Sequence, residues 1–86
     1  MKIAVKKFGE LLMSRPEGRE AFLAARAYMK PTSDTEPIEL DFEGVKVLTP
    51  SWADEFVSGL RSEYGRRVVF LPSDNASVAL SLQMLK

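Results

Sequence analysis

The stretch IELDFEGVKVLTPSWADEFVSGL, residues 38–60, decides how this chain is read. Its first five residues alternate apolar and polar side chains, the period-two pattern of a strand with one face buried. Glu43-Gly44 marks a turn or bulge, and Val45 to Leu48 resumes the alternation. Beyond Pro50 the period changes. Trp52, Ala53, Phe56, Val57 and Leu60 recur at spacings of three and four, the mark of an amphipathic helix of roughly three turns. Asp54, Glu55, Ser58, Arg61 and Ser62 fall on its other side.

The joint between strand and helix holds Thr49, Pro50 and Ser51. A helix start leaves backbone N–H groups without partners and carries a partial positive charge. Two caps fit the sequence. With Thr49 as N-cap, Pro50 takes the favoured first helical position. With Ser51 as N-cap, Asp54 lies three residues on and reaches back as in a capping box. In both readings Asp54 and Glu55 are expected in the first turn, where negative charge is favoured.

Outward from this segment, Lys2 to Val5 is a short strand-like run, and Lys6 to Arg15 reads as a loop or short helical turn. Ser14 and Pro16 announce a helix. From Glu17 to Met29 its apolar face is Phe22, Ala25 and Met29, widened by Ala21 and Tyr28; Leu23 points further round and Gly18 weakens the first turn. Lys30 to Pro37 is a loop with two prolines. Downstream, Gly65 suits a left-handed C-cap. Val68 to Leu71 is an unbroken apolar run, the pattern of a strand covered on both faces. The last helix, Asn75 to Leu85, carries Val78, Leu82 and Leu85, with Ala79 and Leu80 widening the stripe. It is expected mainly in the core, with width to spare for a dimer contact. Strand and helix alternate three times, which predicts one α/β domain over 1–86 with a parallel or mixed sheet and helices packed on it. The first strand has the weakest pattern and is compatible with antiparallel pairing at an edge.

Composition excludes several classes. Twelve basic and twelve acidic residues give a formal net charge of zero, without the positive footprint that drives phosphate-backbone binding, so nucleic acid is not an expected partner. With no cysteine and no histidine, disulfides, thiolate nucleophiles and the commonest general base and metal ligand are absent. Asp41, Glu43, Asp54 and Glu55 lack the regular oxygen-ligand spacing of a calcium loop. No metal or cofactor is expected, and an enzyme is the least expected class. No apolar run approaches the roughly 20 residues that span a bilayer. MKIAVKKFGE turns charged too early for a signal peptide, so no membrane association and a cytoplasmic location are expected.

Two motifs together, SRPEGREAF (residues 14–22) and LDFEGVKVLTPSWADEF (residues 40–56), resemble the STAS-like family of unknown function, related to anti-sigma-factor-antagonist (STAS) domains. The matching residues are Ser14, Arg15, Gly18, Arg19, Asp41, Phe42, Gly44, Val45, Ser51, Trp52, Ala53, Asp54 and Glu55. The resemblance implies a small four-stranded mixed sheet flanked by helices, in the order β-α-β-α-β-α. It also implies a non-enzymatic role in bacterial signalling, binding a protein partner such as a histidine-kinase-like ATPase or another regulator. Phosphorylatable STAS domains open the corresponding helix with Asp-Ser-Ser-Gly and modify the first serine. Here Thr49 falls at that aspartate, Pro50 at the modified serine and Ser51 at the second serine. The usual phosphoserine switch is therefore not available, and Asp54 and Glu55 would repel a phosphate on Ser51.

The expected partner-binding residues are Thr49, Ser51, Trp52, Asp54 and Glu55. Trp52 is read either as core or as an exposed anchor of the kind found at interfaces. Arg15 and Arg19, four residues apart, either clamp an anion or form an ion pair with Asp54 or Glu55. The alternative function is a nucleotide- or small-anion-binding module built from the same helix mouth and these arginines.

Overall fold

The computed structural model describes residues 1–31 and 33–85; Thr32 of the predicted loop lies outside them. Five strands and three helices follow in the order β1 (Lys2–Ala4), β2 (Leu11–Leu12), α1 (Arg15–Tyr28), β3 (Ile38–Asp41), β4 (Val47–Leu48), α2 (Pro50–Tyr64), β5 (Val68–Phe70) and α3 (Ala76–Gln83). Two 3-10 turns, Val5–Phe8 and Gly65–Arg67, precede β2 and β5.

The single four-stranded mixed sheet implied by the resemblance is replaced by two parallel sheets, β1-β3-β5 and β2-β4. The reason lies in two matched breaks. After Ala4 the chain winds into a 3-10 turn, closed by the Gly9 N–H on the Lys6 carbonyl at 2.9 Å. After Asp41 it turns at Gly44, whose φ of 86° favours glycine. β1 pairs with β3 before the breaks, and β2 pairs with β4 after them. The two breaks touch, because a Cβ on Gly44 would lie 2.5 Å from Lys6 Cδ. β1 does sit at an edge, but it runs parallel to β3, not antiparallel.

Sheet order β1-β3-β5 steps one way across the sheet, so right-handed crossovers leave α1 and α2 on the same face. Ile3, Ile38, Leu40 and Val68 are buried beneath them. Lys2, Ala4, Glu39, Asp41 and Val69 line the open face, where Lys2 Nζ meets Asp41 Oδ2 at 3.4 Å. β5 is thus an edge strand covered on one face, with Val69 39% exposed, and not the doubly covered strand its apolar run suggested.

The core is centred on α1 against α2. Ala21, Phe22 and Ala25 meet Trp52, Ala53, Phe56, Val57 and Leu60, all buried. Glycines set the separation: a Cβ on Gly18 would lie 2.5 Å from the Trp52 carbonyl oxygen, and one on Gly59 would lie 2.6 Å from the Phe22 ring. Gly18 is therefore a packing point as well as a weak helix former. Tyr28, expected on the apolar face, is exposed, with Lys7 Nζ 4.2 Å above its ring. Gly65 ends α2 with a positive φ of 56°, but its ψ of −130° lies outside the left-handed helical well.

α3 turns its expected stripe of Val78, Leu82 and Leu85 to the core, but Ala79 and Leu80, expected to widen it, are exposed. Val78 and Ser81 are its buried residues, Leu82 and Leu85 are half-buried, and Leu80 is exposed. The face that meets the rest of the protein is hydroxyl-rich for a reason. β4 pairs with β2 on one side only, and α3 seals the other. Ser77 Oγ accepts from the Leu48 N–H and donates to the Leu48 carbonyl, both at 3.0 Å, and Ser81 Oγ donates to that carbonyl at 2.5 Å. Asn75 caps α3 through Oδ1 to the Val78 N–H, while its Nδ2 donates to the carbonyls of Val45 and Lys46. Side chains do here what a neighbouring strand would do. The Ser77→Ala/Ser81→Ala double substitution is expected to destabilise the fold by about 1–3 kcal/mol, the range for leaving buried backbone groups unsatisfied. A loss below about 0.5 kcal/mol in urea unfolding, the level of an ordinary surface change, would count against the seal.

Candidate functional site

β2 and β4 are parallel neighbours, and each feeds a helix within a few residues: β2 leads into α1 and β4 into α2. The two helix mouths therefore open side by side. Ser14 caps the first, its Oγ accepting from the Glu17 N–H at 3.3 Å and donating to Glu17 Oε1 at 2.7 Å. Thr49 caps the second, accepting from the Trp52 N–H at 3.3 Å. Thr49 Oγ1 also donates to the Met13 carbonyl at 2.5 Å, tying one mouth to the other. That cross-strand carbonyl favours Thr49 over Ser51 as the cap.

With Thr49 as cap, no acidic residue stands in the first turn of α2, contrary to expectation. Asp54 lies a turn further on and does not reach back to the cap. Its Oδ2 instead accepts from Arg15 Nη1 at 2.8 Å, and its Oδ1 from Ser58 Oγ at 3.1 Å. Glu55 Oε1 lies 3.5 Å from the same guanidinium. Arg15, the first residue of α1, thus bridges the two helix mouths, as one of the two arginine readings supposed. Arg19 is exposed and forms no ion pair among the described residues.

The hydrogen bond from Arg15 holds the Asp54 carboxyl below its ordinary pKa, and the Ser58 hydroxyl adds to the effect. The bond to Asp54 in turn raises the Arg15 pKa. A carboxyl depressed in the folded state contributes stability that is present above its unfolded pKa of about 4 and is lost as the pH falls through the lower folded value. Both side chains are half exposed, so the contribution is small and screened by salt. The melting temperature is expected to fall in Arg15→Asp, to recover in part in Arg15→Asp/Asp54→Arg, and to differ little between the two in concentrated salt. Absence of recovery at low salt would mean that the pair does not couple the helices.

Trp52 is 1% exposed and stacks on Phe56, ring centroids 4.8 Å apart. It is core and cannot touch a partner, which removes it from the expected contact set. Thr49 is half-buried, with its hydroxyl both donating and accepting. The expected residues that reach the surface are Ser51, Asp54, Glu55, Arg15 and Arg19, and Pro50 is exposed as well.

Two exposed apolar residues missed at the sequence level lead into the α1 mouth. Leu11 is 59% and Met13 53% exposed, on β2 and just past it. The signal was available: in the run Leu11-Leu12-Met13 a strand can turn only the middle residue inward if Leu12 is core. Elsewhere, a cleft of about 380 Å³ at the ends of β3 and β5 is lined by Asp41, Glu43, Asp74 and Asn75. Asp41 is already engaged there by the Glu43 N–H and by Lys2, and among the described residues no acidic group is arranged to hold a metal ion. Nor is any described helix long and apolar enough to cross a membrane.

A family model described as a STAS-like domain of unknown function (DUF4325) matches residues 26–77, more than half of the chain. The match runs from the end of α1 to the start of α3 and includes the α2 mouth, while Arg15 and Arg19 lie outside it. No curated protein and no solved structure gives a significant match.

Proposed function

Because the chain belongs to the family of STAS-like domains of unknown function, we propose that it is a non-enzymatic protein-interaction domain of bacterial signalling that works in the cytoplasm. Its contact surface is the corner where the two helix mouths meet. The observation that carries this reading is the exposed Met13, whose carbonyl is bonded by Thr49 at the α2 mouth, with Leu11 exposed two residues before it and the Arg15, Asp54 and Glu55 charges bridging the two helix starts. Apolar side chains enclosed by a charged rim are the usual anatomy of a recognition patch. Thr49 and Trp52 serve it from within, one by capping α2 and the other by anchoring it.

The partner is a histidine-kinase-like ATPase or another regulator, as the likeness to STAS domains suggests. Pro50, which the resemblance aligns with the modified serine, supports control by other means than the usual phosphoserine. The rival reading, a nucleotide or small anion held at the α2 mouth, has less support. Two carboxylates already neutralise Arg15, and they would repel an anion approaching it.

Affinity capture with the immobilised chain should recover an ATPase or regulator from cells that express it. Met13→Asp should abolish that capture while leaving the circular dichroism spectrum and melting curve nearly unchanged, and Asp54→Lys should abolish it with the same small drop in melting temperature expected for Arg15→Asp. Capture that survives both substitutions would sink the proposal. ATP binding by calorimetry that is lost in Arg15→Ala would establish the rival reading instead.

A further inference from the structure

The main sheet ends on a strand with an open side. Among the described residues β5 pairs only with β3, in the register Ile38 to Val68, Glu39 to Val69 and Leu40 to Phe70. The Leu71 N–H donates to the Leu40 carbonyl at 3.0 Å, so the odd-numbered residues here bond to β3. In a parallel ladder the intervening Phe70 then turns its N–H and C=O to the free side. The Val68 N–H is already used in the preceding turn, donating to the Gly65 carbonyl.

Hollows flank this edge. One, of about 590 Å³, is lined by Arg61, Gly65, Arg66 and the inward-facing Val68. The other, of about 340 Å³, includes Pro37, Arg66, Arg67 and the outward-facing Val69. Successive side chains of an added strand point to opposite faces, so one hollow on each side is what such a strand requires.

The charge at this edge is one-sided. The Arg61 guanidinium stands 5.3 Å from the Phe70 ring centroid. Arg67 is held in place by the carbonyls of Glu36 and Ser33, at 3.0 and 2.7 Å. Arg66 is exposed and forms no ion pair among the described residues. Asp34 is the one carboxylate lining either hollow. Arg66 and Arg67 outweigh Asp34 and the partial negative charge at the end of α2.

We propose that the free edge of β5 accepts an extended acidic peptide as an added strand. The peptide backbone pairs with Phe70, and its carboxylates meet the exposed Arg66. A second copy of this chain is the poorer occupant, because it would bring its own arginines against those of this edge. This surface lies at the far end of α2 from the corner that carries the proposed function, about 22 Å away along a 15-residue helix. The two proposals therefore stand or fall separately.

The test is a titration of the isotope-labelled chain, followed by nuclear magnetic resonance, with acetyl-Glu-Val-Thr-Val-Glu-Val-amide and with its counterpart carrying Lys for Glu. The acidic peptide should shift the Phe70 amide and its neighbours, and Arg66→Glu should weaken binding at least about fivefold, as expected for losing a charge-assisted contact. Phe70→Pro, which removes the outward N–H together with the half-buried ring, should weaken it as well in protein whose melting curve shows it still folded. Equal binding of the lysine peptide would overturn the proposal. So would shifts confined to the α2 mouth, or self-association through β5 in sedimentation.

Discussion

Trp52→Ala is expected to lower stability by about 3–5 kcal/mol, the range for truncating a fully buried aromatic side chain. Trp52 heads the fully buried side chains by volume, stacks on Phe56, and carries the backbone against which Gly18 of α1 is seated. Small domains hold only about 5–15 kcal/mol in total, and an 86-residue chain lies toward the lower end of that range. The variant should unfold at much lower urea concentration, with a visible unfolded fraction at 37 °C. Trp52→Phe, which keeps a ring against Phe56, should lose distinctly less. This result separates the two readings of Trp52. An interface anchor would leave the urea midpoint near wild type and abolish partner capture; a core residue moves the midpoint first. A loss under about 1 kcal/mol would contradict the packing described for α1 and α2.

Gly18→Ala sets two effects of opposite sign against each other. Alanine is a better helix former than glycine by about 1 kcal/mol, which alone would stabilise α1. The new methyl would, however, meet the Trp52 carbonyl oxygen at 2.5 Å and its Cα at 3.0 Å. These are backbone atoms of a packed helix, and no rotamer change can move them aside. α1 must shift away from α2, and overpacking of this kind costs typically about 1–3 kcal/mol, occasionally more. The clash should win, lowering the melting temperature, and Gly18→Val should be worse. A rise in melting temperature for Gly18→Ala would show that the helices can separate freely.

The helices were the legible part of this fold, because their apolar spacing and their caps are local. Ser14 before Pro16, and the stripe from Trp52 to Leu60, point to α1 and α2 without tertiary information. β2 and β4, two residues each, are too short to show any period, so the split into two sheets was invisible. The choice between Thr49 and Ser51 as cap turned on the Met13 carbonyl, supplied by a distant segment. The pairing of Arg15 with Asp54 was conceivable from charge alone, but it needed β2 beside β4 to bring the helix mouths together. In α3 the stripe of Val78, Leu82 and Leu85 was legible, but Ser77 and Ser81, whose hydroxyls make the docking contacts, carry no apolar signal. The joint between β4 and α2 was legible at Thr49-Pro50. Its buried and exposed members were not separable until α1 was seen to lie across Trp52.

Because α3 grips β4 through Ser77, Ser81 and Asn75 rather than through a strand, it can lift away with every rung of both ladders intact. The grip works as a clasp: a few polar fastenings and one deeply seated valine, Val78. Water competes for the same Leu48 groups, so the clasp should open well before the rest of the domain melts. Deuterium should therefore reach the Leu48 amide earlier than the amides of β3, and the C-terminal helix should be the first part of this protein to come undone.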